Sequence, residues 1–107
     1  MEAKSKRQYE AKAQIMKALS HPTRLFIVDQ LADQEQCVND LTDMVGHDIS
    51  TVSKHLSVLK NAGIVAAEKR GAQVFYSLRI PCVMGFFRCV DEVIRSNARE
   101  SAIAATQ

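Results

Sequence analysis

The apolar residues of the N-terminal half recur at helical spacing and predict three helices. The first covers residues 5–18, and the second begins at Pro22 and runs to about Ala32. Proline is favoured at the first position of a helix, so Pro22 marks that start. A third helix of about two turns is predicted over residues 38–45, where Gly46 ends it in a left-handed conformation.

A fourth helix follows after a turn of three or four residues. Apolar positions three or four apart predict it over residues 50–62, and Asp48 or Ser50 can cap its start with a side-chain oxygen. Two helices joined by a short turn that contains glycine form the sequence pattern of a helix-turn-helix.

A β-hairpin and a last helix complete the pattern. The hairpin pairs residues 65–70 with residues 73–79 and turns at Gly71. Pro81 begins the last helix, which carries a wide apolar face made of Val83, Phe86, Phe87, Val90, Val93 and Ile94. The predicted fold is α+β, mainly α, with about five helices and one β-hairpin.

Length and composition place the chain among single globular domains. Its 107 residues are 47% hydrophobic and 24% charged, which matches one folded domain over residues 1–107 with frayed ends at about 1–6 and 100–107. No apolar stretch is long enough for a membrane span or a signal core, so we expect a cytoplasmic protein without membrane contact. Three cysteines cannot all pair within one chain, and in a reducing compartment they remain thiols.

Charge is unevenly distributed along the chain. Residues 1–24 carry a formal charge of +4, residues 25–48 carry −6, residues 49–79 carry +4 and the remainder is neutral. A basic block of this size fits either a polyanion contact or an ordinary solvated surface, so motif geometry has to decide. No catalytic motif occurs at functional spacing, which excludes an enzyme.

The fourth helix and the hairpin turn present polar side chains suited to DNA. A helix fits the major groove, and a basic hairpin beside it can grip the phosphate backbone. The candidate DNA-contacting residues are Ser50, Thr51, Ser53, Lys54, His55 and Ser57 on the helix and Lys69, Arg70 and Gln73 on the hairpin. The acidic residues Asp33, Glu35, Asp40 and Asp43 are expected to face away from phosphates or to weaken non-specific binding. The alternatives are an ordinary surface helix and a protein-interaction module.

Three segments resemble the ArsR/SmtB family of winged-helix repressors, and the resemblance covers about residues 10–95. They are residues 18–24 (ALSHPTR), residues 50–65 (STVSKHLSVLKNAGIV) and residues 69–78 (KRGAQVFYSL). The resemblance implies a homodimeric winged helix-turn-helix repressor that binds an inverted repeat in double-stranded DNA without a cofactor and leaves it when an inducer binds. Apolar stripes on both terminal helices independently favour a homodimer.

The resemblance also directs attention to the thiols. Arsenic-responsive members of the family carry Cys-Val-Cys-Asp-Leu on the third helix, whereas residues 37–41 read Cys-Val-Asn-Asp-Leu. Cys37 matches the first cysteine, so further ligands would come from Cys82 and Cys89. Thiolates prefer soft ions, which points to trivalent arsenic or antimony as the inducer, ahead of cadmium or zinc.

The spacing of Cys82 and Cys89 limits a three-thiol site. Seven residues of regular helix separate them by about 10.5 Å, so a shared ion requires Cys82 to lie outside the last helix. The alternatives are three cysteines acting as small buried hydrophobes, a redox or persulfide sensor that uses Cys37, and a repressor that responds to an organic ligand. Among the histidines, His21 is predicted to cap a helix, and His55 to pack or touch DNA.

Overall fold

The computed structural model describes residues 1–106, and Gln107 lies outside the described residues. Within that range five helices and three strands follow one another as α1 (Ala3–Leu19), α2 (Pro22–Asp33), β1 (Gln36–Cys37), α3 (Val38–Val45), α4 (Ile49–Asn61), β2 (Val65–Arg70), β3 (Gln73–Leu78) and α5 (Val83–Thr106). This architecture confirms the α+β class and the winged helix-turn-helix arrangement.

Local capping signals set the ends of α2 and α3. His21 is the N-cap of α2, and its Nδ1 accepts a hydrogen bond from the Thr23 backbone N–H at 3.1 Å, which confirms the predicted cap. Pro22 occupies the first helical position. Gly46 has a φ of 80° and donates its N–H to the Thr42 carbonyl at 3.0 Å. Glycine adopts this left-handed conformation without the Cβ clash of other residues, so α3 ends there as predicted.

One hydrophobic core joins α1, α2, α3, α4 and the start of β2. Its members share near-complete burial and are Ala18, Leu19, Ile27, Val28, Leu31, Leu41, Val52, Leu56, Leu59, Ile64 and Val65. The apolar spacing that predicted helices α2, α3 and α4 therefore marks the faces that pack together.

The sheet contains one more strand than the sequence predicts. Strands β2 and β3 form the expected antiparallel hairpin, and β1 adds to the other edge of β3 through the pairs Gln36–Tyr76 and Cys37–Phe75. The sequence predicts that the second helix ends at about Ala32 and predicts no strand in the residues that follow. A two-residue strand shows no alternation of apolar and polar positions, so periodicity could not reveal it.

Helix α5 begins later than predicted. Pro81 and Cys82 lie in a turn, where the N–H of Met84 bonds the Pro81 carbonyl at 3.1 Å and the N–H of Gly85 bonds the Cys82 carbonyl at 3.0 Å. Regular helix starts only at Val83, so Cys82 lies outside the helix.

The terminal segments predicted to be frayed are helical as far as the structure describes them. Helix α1 starts at Ala3, and α5 continues without interruption to Thr106. The alanines around Ile103 favour a helix in this segment. The prediction of frayed ends rests only on the position of these residues at the ends of the chain.

Both terminal helices leave apolar side chains uncovered in a single chain. Val83 and Phe87 pack against the core, but no residue of α5 is fully buried. The exposed large apolar side chains of the two helices are Tyr9, Ile15, Met16, Phe86, Val90, Val93, Ile94 and Ile103. None of the helices within residues 1–106 is long and apolar enough to cross a membrane.

Leu41 and Met44 of α3 provide a matched test of the core. Leu41 is fully buried, whereas the side chain of Met44 is 42% exposed. We expect Leu41→Ala to lower the free energy of unfolding by about 2–5 kcal/mol, because it removes buried methyl groups and leaves a cavity. Met44→Ala should change it by no more than about 0.5 kcal/mol. Urea denaturation at one fixed protein concentration measures both, and equal effects would contradict the assigned core.

Candidate nucleic-acid interface

Helix α4 has one buried apolar stripe and one exposed polar face. Val52, Leu56 and Leu59 have no exposed surface and fix the helix to the core. The predicted residues on the opposite side that the structure leaves exposed are Ser50, Ser53, Lys54 and Ser57, while Thr51 and His55 are half-buried. The N-terminal half of α4 therefore presents hydroxyl groups and one ammonium group to the surroundings.

The turn before α4 determines where this face begins. Of the two predicted capping residues, Asp48 stands at the N-cap, and Ser50 already lies inside the helix. The Asp48 carboxylate makes no capping hydrogen bond, while its carbonyl accepts the N–H of Val52 at 3.2 Å. The turn between α3 and α4 thus consists of Gly46, His47 and Asp48, as expected for a helix-turn-helix.

The β2–β3 hairpin forms the second part of the candidate interface, here called the wing (residues 65–78). Gly71 turns the chain with a φ of 63°, and Lys69 and Gln73 are exposed beside it. These two residues keep polar groups free for contact with a phosphate backbone.

Arg70 of the wing is already held by acidic partners. Its guanidinium forms a two-pronged ion pair with Glu35, in which Nη2 lies 2.9 Å from Oε2, and a further hydrogen bond to Glu68 at 2.9 Å. The guanidinium also lies over the Phe75 ring, 4.7 Å from its centroid. The hydrogen bond from Arg70 lowers the pKa of the Glu35 carboxyl, so this pair stays ionised at neutral pH. Arg70 is therefore less available to phosphate than Lys69.

Of the two outcomes expected for the acidic residues, facing away from phosphates does not apply to Glu35, and weaker non-specific binding stays a prediction. Glu35 directly precedes β1, and the pairing of β1 with β3 brings its carboxylate to the wing. The sequence separation of 35 residues between Glu35 and Arg70 explains why no local pattern could signal the pair.

His55 takes a different position from the other predicted contact residues. It is half-buried, and its Nδ1 accepts a hydrogen bond from Arg24 Nε at 3.1 Å. The ring also lies against His21, with centroids 4.4 Å apart. Sequence analysis missed Arg24, because this residue of α2 meets α4 only in the folded chain.

The three cysteines lie in different surroundings. Cys37 is buried and is the N-cap of α3, where its Sγ accepts the Asp40 N–H at 3.4 Å. Cys82 and Cys89 are exposed. Within residues 1–106 no group of three His, Cys, Asp or Glu side chains is placed to hold a metal ion, so one chain does not bring the three thiols together.

Cys37 borders a cavity beside both parts of the candidate interface. The cavity has a volume of about 260 Å³. Its lining comes from the start of α3, the exposed side of α4 and the wing, namely Cys37, Val38, Asn39, Ile49, Ser53, Ala72, Gln73 and Val74. The thiol therefore lies where a chemical change could reach α4 and the wing directly.

Comparison with known proteins identifies the family. The sequence profile described as bacterial regulatory protein, arsR family, matches residues 21–67. An HTH-type transcriptional regulator of Methanocaldococcus jannaschii is 40% identical over 87 residues, which cover 80% of this chain and 98% of the relative. The HTH-type transcriptional repressor SmtB of Mycobacterium tuberculosis is 39% identical over 69 residues, or 64% of this chain and 51% of SmtB.

A solved structure extends the similarity to the fold. The homodimeric winged helix-turn-helix DNA-binding domain of a possible ArsR-family regulator from Mycobacterium bovis superimposes with a TM-score of 0.79 at 27% identity. The match covers 94% of this chain and 93% of that domain.

Together, the fold and the polar face of α4 define a DNA-binding transcriptional regulator of the winged helix-turn-helix class, not an enzyme. The chain belongs to the ArsR/SmtB family of transcriptional regulators.

The Arg70–Glu35 pair generates a prediction for DNA binding. Glu35→Gln removes a negative charge beside the wing and leaves Arg70 with Glu68 as its acidic partner, so we expect tighter binding to duplex DNA and a salt dependence steeper by about one unit per protomer. Fluorescence anisotropy over a series of salt concentrations measures both quantities.

Glu92→Gln provides the matched control for this change. Glu92 makes comparable surface ion pairs with Arg95 and Arg99 on α5. The same loss of one charge there should leave the salt dependence close to that of the wild type. Equal effects of the two substitutions would show that net charge, and not the release of Arg70, determines the change.

Proposed function

We propose that the chain represses transcription as a homodimer that places α4 of each protomer in the major groove of an inverted-repeat operator. The observation that carries this proposal is the division of α4 into a fully buried stripe and an exposed polar face. The proposed DNA-contacting residues of α4 are Ser50, Thr51, Ser53, Lys54 and Ser57, of which the hydroxyl groups read base edges and the Lys54 ammonium contacts a phosphate. On the wing, Lys69 and Gln73 contact phosphates, with Arg70 in a lesser role.

The homodimer is supported by the uncovered apolar faces of α1 and α5. Side chains such as Val93 and Ile94 are 58% and 60% exposed in one chain, and a second copy can bury them. The similar Mycobacterium bovis domain is homodimeric. A two-fold dimer also matches an inverted-repeat operator, because the two recognition helices then read equivalent half-sites.

We further propose that a thiol-directed inducer, trivalent arsenic or antimony, releases the repressor from DNA. This proposal is supported by Cys37, whose cavity is lined by residues of α4 and the wing. Three-coordinate thiolate binding requires partners for Cys37, and the exposed Cys82 and Cys89 of a second copy are the available thiols. Cadmium and zinc are the lesser candidates for the same donors.

Redox chemistry at the thiols is the second candidate for induction. It is favoured by the absence of a three-thiol cluster within the described part of one chain. Oxidation that joins two thiols forms one S–S bond and delivers two protons and two electrons to an added peroxide or persulfide oxidant. This reaction requires two thiols and not three.

Lys54→Ala tests α4 as the reading helix. We expect weaker binding to all DNA sequences and a salt dependence reduced by about one unit per protomer, because one phosphate-attracting charge is lost. Lys12→Ala is the control, since Lys12 lies on α1 beside the Tyr9 ring and is not among the proposed DNA contacts. Anisotropy titrations that show no difference between Lys54→Ala and Lys12→Ala would count against α4 as the reader.

Cys37→Ser tests the thiol-directed inducer. Native mass spectrometry of the reduced protein with one equivalent of arsenous acid per chain should show an arsenic adduct that has lost three thiol protons, and Cys37→Ser should abolish it. The Cys37→Ser variant should still bind DNA without inducer, because Cys37 is not among the proposed DNA-contacting residues.

Other outcomes of the same experiment separate the alternatives. An adduct that survives in Cys37→Ser removes this residue from the site. A mass loss of two hydrogens after peroxide treatment, without any arsenic adduct, supports the redox candidate. Induction that persists in a variant with all three cysteines changed to serine points to an organic ligand.

A further inference from the structure

A polar contact between α2 and α4 lies behind the exposed face of the recognition helix. Arg24 of α2 donates from Nε to His55 Nδ1 at 3.1 Å and from Nη1 to the Ala18 carbonyl at 3.3 Å. One guanidinium therefore connects the end of α1, the start of α2 and the middle of α4. His55 directly follows Lys54 on α4, so this contact lies next to the proposed DNA contacts.

The direction of the hydrogen bond fixes the protonation state of His55 in this arrangement. Arginine has donors and no acceptor, so His55 Nδ1 must be unprotonated and the ring neutral, with its proton on Nε2. Protonation would place an N–H at Nδ1 facing the Arg24 Nε–H. The hydrogen bond would be lost, and two cationic groups would stand in contact.

The surroundings of His55 oppose its protonation. His21 at the start of α2 lies against the ring, Arg24 donates to it, and His47 in the turn before α4 is also near. Burial, followed by the charges of His21, Arg24 and His47, lowers the pKa of His55 below its ordinary value of 6.5. No carboxylate contributes to this shift, so nothing compensates a charge on the ring.

We propose that Arg24 is a positioning residue that holds α4 in its DNA-reading orientation through neutral His55, and that protonation of His55 in mildly acidic solution breaks this contact and weakens operator binding. This inference rests on the proposed role of α4 and adds a pH response to it. His55 acts through its contact with Arg24 and is not itself counted among the base-reading residues.

The direction in which DNA affinity changes with pH distinguishes loss of the His55–Arg24 contact from general electrostatic attraction. A group with a depressed pKa contributes its stabilisation above the pKa of the unfolded state, and the contribution is lost as the pH falls through the folded-state pKa. The contact is therefore complete above about pH 6.5 and is lost only as the pH falls through the lower pKa of His55 in the folded protein. Acid also adds positive charge elsewhere on the protein, which strengthens attraction to phosphate. A fall of affinity in acid therefore runs against the general trend.

The test compares affinities at two pH values with one duplex, selected from random-sequence DNA by the wild-type dimer at about pH 7.5. At constant ionic strength, wild-type affinity should fall between pH 7.5 and pH 5.5 by up to about tenfold, which is the limit for one proton bound with a pKa below 6.5. His55→Asn keeps an acceptor in place of Nδ1 and cannot be protonated, so its ratio of affinities should show no fall. His47→Asn is the control: it removes another histidine but keeps the His55–Arg24 contact, so its affinity should still fall in acid, from a slightly higher pH because a charge that lowers the pKa of His55 is gone.

Arg24→Met provides a second, independent variant. It removes the donor at every pH, so we expect weakened binding at neutral pH with no further fall in acid. The inference would be overturned if the affinity of the wild-type protein rose or stayed constant in acid. It would also be overturned if the affinity of His55→Asn or Arg24→Met fell in acid as much as that of the wild type. If His55→Asn does not fold, the ratio of the two affinities measured for Arg24→Met is sufficient to test the inference. Failure of wild-type protein to select any duplex would instead remove the proposed role of α4 itself.

Discussion

The burial of the apolar stripe of α4 is the constraint on which the DNA-reading surface depends. Val52, Leu56 and Leu59 have no exposed surface, and each large apolar side chain that leaves water contributes about 1.5–3 kcal/mol. An exposed ion pair contributes at most about 1 kcal/mol. Burial of these side chains in the core therefore determines the orientation of α4. The polar residues on the opposite side point outward as a consequence.

Features with strong local signals were predictable from the sequence. Pro22, Gly46 and Gly71 mark a helix start, a helix end and a hairpin turn, and each acts through backbone geometry that a short window of sequence reveals. The helix-turn-helix and the wing follow from these signals together with the apolar periodicity. The exposed face of α4 could be assigned for the same reason, because burial of one helical stripe determines the other.

The features that sequence reasoning missed depend on contacts between distant segments. Arg24 and His55 are separated by 31 residues, and Glu35 and Arg70 by 35, so neither pair leaves a local pattern. Strand β1 exists because β3 offers it a free edge. Likewise, counting three thiols could not show that Cys37 would be buried beside the wing while the other two stayed exposed.

Strand β1 is a lightly attached part of the sheet. It contributes two residue pairs to the sheet, Gln36 with Tyr76 and Cys37 with Phe75, and the Glu35 ion pair beside it is exposed to solvent. Such a short ladder belongs to the least stable part of a fold, where opening is frequent and costs little free energy. The backbone of Cys37 forms part of that ladder, and its thiol is buried. Local opening thus gives reagents access to a buried sulfur while the rest of the domain stays folded.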